Sequence, residues 1–362
     1  MYKRQVSAVE TAQVWSSDGI GRHVALRDSD GGIHGADWSP DGTQIVTVSK
    51  LGTARVWRSD GTGQLAEFRG HEGGVRSATW SPDGTRIVTV SEEGTARVWR
   101  SNGTGQPVEL RGNGERVGSA VWSPDGTRIV TTLWDATARV WSSDGTGQPV
   151  ELRGHKEWIW SAAWSPDGTR IVTASQDGTA RVWRSDGTGQ SVELPGHEGY
   201  AVSAVWSPDG TRILTSLADK SAWVWRSDGA SPPVELRGHE ALIRSAAWSP
   251  DGTRILTASQ DGTARIWSSD GTGQPVELGA HEGAIFSATW SPDGTRVLTT
   301  TVEGTVQIWW LTDALLALVS PLCLSPNQRE LYLVEEPEDA LANYEACERS
   351  YGRAPLDNPP DL

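Results

Sequence analysis

The chain is poor in cysteine, methionine and phenylalanine, with two Cys, one Met and two Phe in 362 residues. Two Cys exclude a disulfide scaffold and a cysteine-based zinc site. Basic residues are outnumbered, 32 Lys and Arg against 46 Asp and Glu, for a net charge of −14. That balance argues against nucleic acid or an anionic membrane surface as partner. Long apolar runs are missing. The most apolar one, Leu311 to Leu324, contains Asp313 and Pro321 and falls short of the roughly 20 residues a membrane helix needs. No apolar segment follows residues 1–5, so no signal peptide is expected, and the expected location is cytoplasmic. The sequence has no GxxxxGK phosphate loop and no serine nucleophile elbow. Asp28-Ser29-Asp30-Gly31 hints at a calcium loop but lacks the further acids and distal Glu, and is read as a polar turn. Neither a metal nor a cofactor is expected.

Tryptophan and glycine are what the chain has in excess, 20 and 41 residues. The tryptophans are periodic. Trp38, Trp80, Trp122, Trp164, Trp206, Trp248 and Trp290 each open the string WSPDG, 42 residues apart without an insertion. A second series at the same spacing runs Trp15, Trp57, Trp99, Trp141, Trp183, Trp225, Trp267 and Trp309. Trp134, Trp158, Trp160, Trp223 and Trp310 stand outside both series.

One unit, residues 154–195, reads as four strands. Ile159 to Trp164 is a short apolar run ending at Ser165-Pro166-Asp167-Gly168. Pro presets φ for a turn and Gly supplies a positive φ after it. Arg170 to Ser175 is a β-branched second strand, Thr179 to Trp183 a third, and Val192 to Leu194 a fourth. Such a meander cannot bury both faces alone. Stacking copies around an axis buries them and leaves only short edges, which predicts an all-β propeller.

These motifs resemble the WD40-repeat family over residues 6–310, with Gly-His before the first strand, SPDG after it, Ser-x-Asp after the second, and Trp closing the third. The resemblance implies a hydrogen-bonded tetrad of His, Ser or Thr, Asp and Trp in each blade. Two blades match in full, through His155, Ser175, Asp177 and Trp183, and through His239, Ser259, Asp261 and Trp267. In two others Glu93 and Glu303 stand for Asp. Beside His197, Asp219 and Trp225, Leu217 replaces the hydroxyl. Another blade keeps Asp135 and Trp141 with Asn113 and Leu133, and the first has Ser29 and Leu51. Because the His and Asp recur blade by blade, they read as framework and not as catalytic or metal-binding groups.

The ends depart from the repeat. Residues 1–21 read as a leftover partial blade, which points to a longer parent protein. Residues 22–310 hold seven WSPDG turns and therefore seven blades, with eight as the alternative. The last blade lacks its own fourth strand after Trp309, so Val24 to Arg27 is expected to pair with Val306 to Trp309 and close the ring. Residues 311–362 carry ten acids and three bases and read as a short helical, acidic tail, with Cys323 and Cys347 as buried free thiols. Near-identical repeats followed by such a tail resemble the C-terminal parts of large bacterial signalling proteins.

The resemblance implies a non-catalytic module that offers a rigid face to a protein or peptide. A small-ligand or catalytic propeller, or a plain structural spacer, are the alternatives. The candidate contact residues are those that differ between otherwise near-identical repeats. They flank the start of the first strand or precede the tetrad acid: Trp134, Trp158, Trp160, Tyr200, Leu242, Phe286, Arg76, Arg116 and Arg244. Trp, Tyr and Arg are the types most enriched at binding hot spots. All of these positions are expected at one end of the ring, near the channel mouth, where an apolar anchor with acidic neighbours would fit.

Overall fold

The computed structural model describes residues 11–15, 23–27, 33–60, 62–110, 115–195, 199–279, 281, 283–301 and 306–311. The expected helical tail, its two cysteines, His197, Asn113 and Ser29 lie outside the described residues. Seven antiparallel sheets follow one another along the chain as the blades of a β-propeller, six of four strands and the last of three. Their first strands are Ile33–Trp38, Val75–Trp80, Val117–Trp122, Ile159–Trp164, Ala201–Trp206, Ile243–Trp248 and Ile285–Trp290. In every sheet each strand pairs with its neighbour in sequence.

In the fourth blade the second, third and fourth strands are Arg170–Ser175, Ala180–Arg184 and Val192–Leu194. The turn after the first strand is built as its sequence dictates. The Gly168 N–H donates to the Ser165 carbonyl at 2.8 Å, and Gly168 takes φ 68°, a region that favours glycine. The Ser165 hydroxyl donates to Asp167, which in turn accepts the Thr169 N–H at 3.0 Å. Those donors hold the Asp167 carboxyl below its ordinary range, the serine hydroxyl contributing most.

The core lies between blades and not within them. Val172, Ala174, Val182 and Leu194 of the fourth blade pack with Ala201, Trp206, Ile213 and Trp225 of the fifth. Second strands therefore have both faces covered, and after its first residue Arg170–Ser175 is buried throughout. A strand buried on both faces needs a near-continuous apolar run, which is what Ile-Val-Thr-Ala supplies.

A second inter-blade device was not foreseen from the repeat. From the second blade to the fifth, the arginine opening the second strand reaches into the following blade; in the first blade Gln44 stands there. Arg170 lies 4.6 Å over the Trp206 ring, and donates to the Gly210 carbonyl at 2.9 Å and the Ser227 hydroxyl at 3.0 Å. Arg86, Arg128 and Arg212 do the same to Trp122, Trp164 and Trp248 and to the matching Gly and Ser. The clamp weakens at the last joint. Leu311 stands where the serine would be, Arg254 is 5.7 Å from the Trp290 ring, and its buried Nη1 has no hydrogen-bond partner.

The expected closing strap is not formed. His23–Arg27 pairs instead with Thr11–Trp15, in register from Thr11 opposite Arg27 to Trp15 opposite His23. Among the described residues the strand Val306–Trp310 has one partner, Arg296–Thr301. The reason is local. Thr-Ala-Gln-Val-Trp has the pattern of every third strand in the chain, and a short loop closes at far less entropic cost than one spanning the propeller.

Candidate functional site

A polar spine is complete in the fourth and sixth blades, and its hydroxyl is not the serine expected. The Trp183 Nε1–H donates to the Thr173 hydroxyl at 2.8 Å, and Thr173 Oγ1 lies 2.7 Å from His155 Nε2. His155 Nδ1 is 2.8 Å from the Asp177 carboxylate. Ser175, the residue assigned to the tetrad, turns away: its hydroxyl donates to the Glu157 carbonyl and accepts the Asp177 N–H. The sixth blade repeats this with Thr257 in place of Ser259 between His239 and Trp267. Thr173 pairs with Arg181 across the strands, and Ile171 with Trp183. Trp183 therefore reaches Thr173 along a same-face diagonal, whereas Ser175 lies two residues farther up the strand, beside the loop.

Thr47, Thr89, Thr131, Thr215 and Thr299 accept the indole N–H in the remaining blades. The pair is thus complete even where Leu217 or Leu133 had suggested a missing hydroxyl. A threonine at the repeat spacing of 42 residues was the available signal.

Burial pushes the His155 and His239 imidazoles below their ordinary range, against the pull of Asp177 and Asp261. Burial also opposes ionisation of Asp177, but the Lys156 N–H, the Thr179 hydroxyl and His155 outweigh it and hold the carboxyl at about 2. A neutral imidazole has one N–H, and the ionised carboxylate claims it at Nδ1. Nε2 must then accept from Thr173. The spine is a directed chain from Trp183 through Thr173 and His155 to Asp177. Every member is satisfied within the blade, which makes it framework. Among the described residues no group of three or more His, Cys, Asp or Glu side chains could hold a metal ion.

The variable positions gather at the opposite end of the blades from the WSPDG turns. The backbone brings them together. The Trp134 N–H donates to the Arg116 carbonyl at 3.1 Å, Gln176 to Trp158 at 2.8 Å, Ala218 to Tyr200 at 3.0 Å and Gln260 to Leu242 at 2.9 Å. One residue further on, the pairing of first and second strands slips in all seven blades, and the skipped residue is the second variable position. Ile159 faces Ser175 and Ser161 faces Ala174, leaving Trp160 between them. Arg76, Gly118, Val202, Arg244 and Phe286 occupy the same bulge. A bulge frees one residue from the ladder and re-aims its side chain, which is why Trp160 is 49% and Phe286 58% exposed.

Four of the candidates form one aromatic series. Trp134 stacks on Trp158 with ring centroids 4.6 Å apart and planes 17° apart. Trp158 meets Trp160 edge-on at 6.4 Å, and Trp160 meets Tyr200 at 6.2 Å. The Arg116 guanidinium caps the series 5.1 Å over Trp134. Trp134 is thus covered on both faces and only half-buried, while Trp158, Trp160 and Tyr200 offer surface. Arg76 and Arg244 are exposed, and Leu242 is half-buried. Phe286 makes no ring contact among the described residues.

Among the described residues no helix is long and apolar enough to cross a membrane. The family model for the WD domain, G-beta repeat, matches residues 23–58, 62–100, 106–142, 148–184, 189–226, 230–268 and 274–309. No curated protein matches the chain. Among solved structures, the chain is similar to that of the computationally designed Ika8 protein, at 25% identity and a TM-score of 0.72, over 85% of this chain and 93% of that one. WD40 repeats generally serve as scaffolds for protein–protein interaction and are typically without enzymatic activity. With seven matched repeats covering most of its length, the chain belongs to the WD40-repeat family.

Proposed function

We propose that this chain is a non-catalytic interaction module of the cytoplasm, which binds a protein or peptide at the mouth of its channel on the face opposite the WSPDG turns. One observation carries the reading. Six large apolar side chains are exposed among the described residues: Leu51, Leu65, Trp158, Trp160, Tyr200 and Phe286. Five of them, all but Leu65, belong to loops or bulges at this one end. An apolar patch confined to one end of a polar surface marks an interaction site.

Trp158, Trp160 and Tyr200 form the anchor pocket in this reading, and Trp134 supports Trp158 from behind. Arg76, Arg116 and Arg244 favour a partner with acidic residues beside its apolar anchor.

The test is affinity capture with the full chain and with the double variant Trp158→Ala, Trp160→Ala. The variant should melt at the same temperature and lose the species that the natural chain retains. Undiminished capture would move the binding face elsewhere.

A further inference from the structure

The proposed pocket accounts for Trp158, Trp160 and Tyr200 but leaves Phe286 without a role and the acid opposite Arg244 without a place. Phe286 is the most exposed aromatic side chain among those described, at 58%, and has no aromatic neighbour. Arg244 is exposed, donates from Nε to the Gln260 side-chain oxygen at 2.9 Å, and forms no ion pair among the described residues. The contrast with the blade framework is sharp. Arg55, Arg97, Arg139, Arg181 and Arg265 each have a glutamate partner on the adjacent fourth strand. A cation held only by a neutral amide, one blade from an apolar side chain left in water, is not a feature of the repeat.

Their order around the mouth is fixed by the chain. Trp160, Val202, Arg244 and Phe286 hold the same bulge in four consecutive blades. Two apolar stations therefore flank one cation. Resting on the function proposed above, we propose that the partner segment spans the mouth with one apolar side chain on Trp160, a second on Phe286, and a carboxylate between them facing Arg244. Packed sheets lie about 10 Å apart, so three steps around a seven-membered ring separate the stations by roughly 20 Å. An extended chain rises about 3.3 Å per residue, so the two apolar residues stand about six positions apart. The occupant is an acidic, extended peptide.

The probe is a library of random 12-residue peptides displayed on phage and selected on the immobilised full chain. Enriched peptides should carry two apolar residues about six apart with Asp or Glu between them. A synthetic copy of one should bind at least tenfold more weakly to Phe286→Ala, to Arg244→Gln and to Trp160→Ala. Phe286→Leu should retain binding. Arg244→Glu should lose it and regain it for a peptide whose acid is replaced by Lys. Each altered side chain is exposed, and an unchanged melting temperature excludes misfolding. Peptides that depend on Trp160 but ignore Phe286 and Arg244 would overturn the two-station proposal and leave the aromatic pocket standing. Peptides indifferent to all three, or no enrichment over bare support, would overturn both.

Discussion

The indole of Trp134 lies flat against that of Trp158, 4.6 Å between centroids, although the two belong to neighbouring blades. Trp134 follows a second strand, Trp158 precedes a first strand, and both are absent from the repeat consensus. Their stacking joins two single-blade irregularities, and in the proposed pocket it makes Trp134 the support and Trp160 the contact.

Removing the support should matter less than removing the contact. Aromatic pairs contribute about 0.5–1.5 kcal/mol beyond burial, so Trp134→Ala should weaken partner binding about two- to tenfold. Trp160→Ala, at an exposed anchor, should cost about 2 kcal/mol or more, roughly thirtyfold. Titration of the same partner against both variants checks the order, and equal losses would contradict it.

Gly118 gives Trp134 its room. A Cβ there would meet Thr132 Oγ1 at 3.0 Å and approach Trp134 Nε1 to 3.7 Å. Gly118→Val should therefore displace the indole from Trp158 while leaving the blade folded. The expected readout is changed tryptophan fluorescence and near-ultraviolet circular dichroism, with unchanged far-ultraviolet signal.

The polar spine predicts a graded series. Thr173→Val removes the partner of both Trp183 Nε1 and His155 Nε2, whereas Thr131→Val strips one indole N–H. Each buried polar group left unpaired costs about 1–3 kcal/mol. Thr173→Val should thus lower stability by about 2–5 kcal/mol, and Thr131→Val by about half as much. Urea denaturation of the two variants measures the difference.

The inter-blade clamps should differ in the same way. Arg170→Met forfeits two hydrogen bonds and a ring contact, at a cost of about 3 kcal/mol. Arg254→Met loses a distant ring contact and a long, exposed ion pair with Asp251 and removes a buried nitrogen that has no partner, so it should cost about 1 kcal/mol or less. Hydrogen exchange should accordingly be faster across the joint between the last two blades than between the fourth and fifth.

Acid should destabilise the propeller in two stages. Burial depresses the His155 and His239 pKa values below the ordinary 6.5. A depressed folded pKa means that the unfolded chain binds more protons, so stability is complete above about 6.5 and falls as pH drops below it. Asp177 and Asp261 sit at about 2 against an ordinary 3.8. Their contribution is full above about 3.8 and is lost between there and about 2. A melting-temperature profile from pH 8 to pH 3 should decline slowly at first and more steeply below pH 4. Replacing His155 by Gln should flatten the first stage.

The sequence alone determined the architecture, because the instruction is local and repeated. Seven WSPDG turns, alternating short strands and two tryptophan series specify one meander seven times over, and a meander with two apolar faces has to stack. The same logic made the variable positions legible as a set, since a departure from a near-perfect repeat stands out without any second sequence. Tertiary structure decided what depends on geometry between strands. The spine uses Thr173 and not Ser175 because a diagonal across the sheet, invisible in linear spacing, sets which hydroxyl an indole reaches. Trp160 and Phe286 stand in water because a bulge skips them, and a one-residue slip in register leaves no mark on composition. The arginine clamps join residues 57 positions apart in different blades, and the strand His23–Arg27 chose a partner nearby over one at the far end of the chain. In each case two segments competed for one contact, and only their arrangement in space, with the entropy of bringing them together, settled which formed.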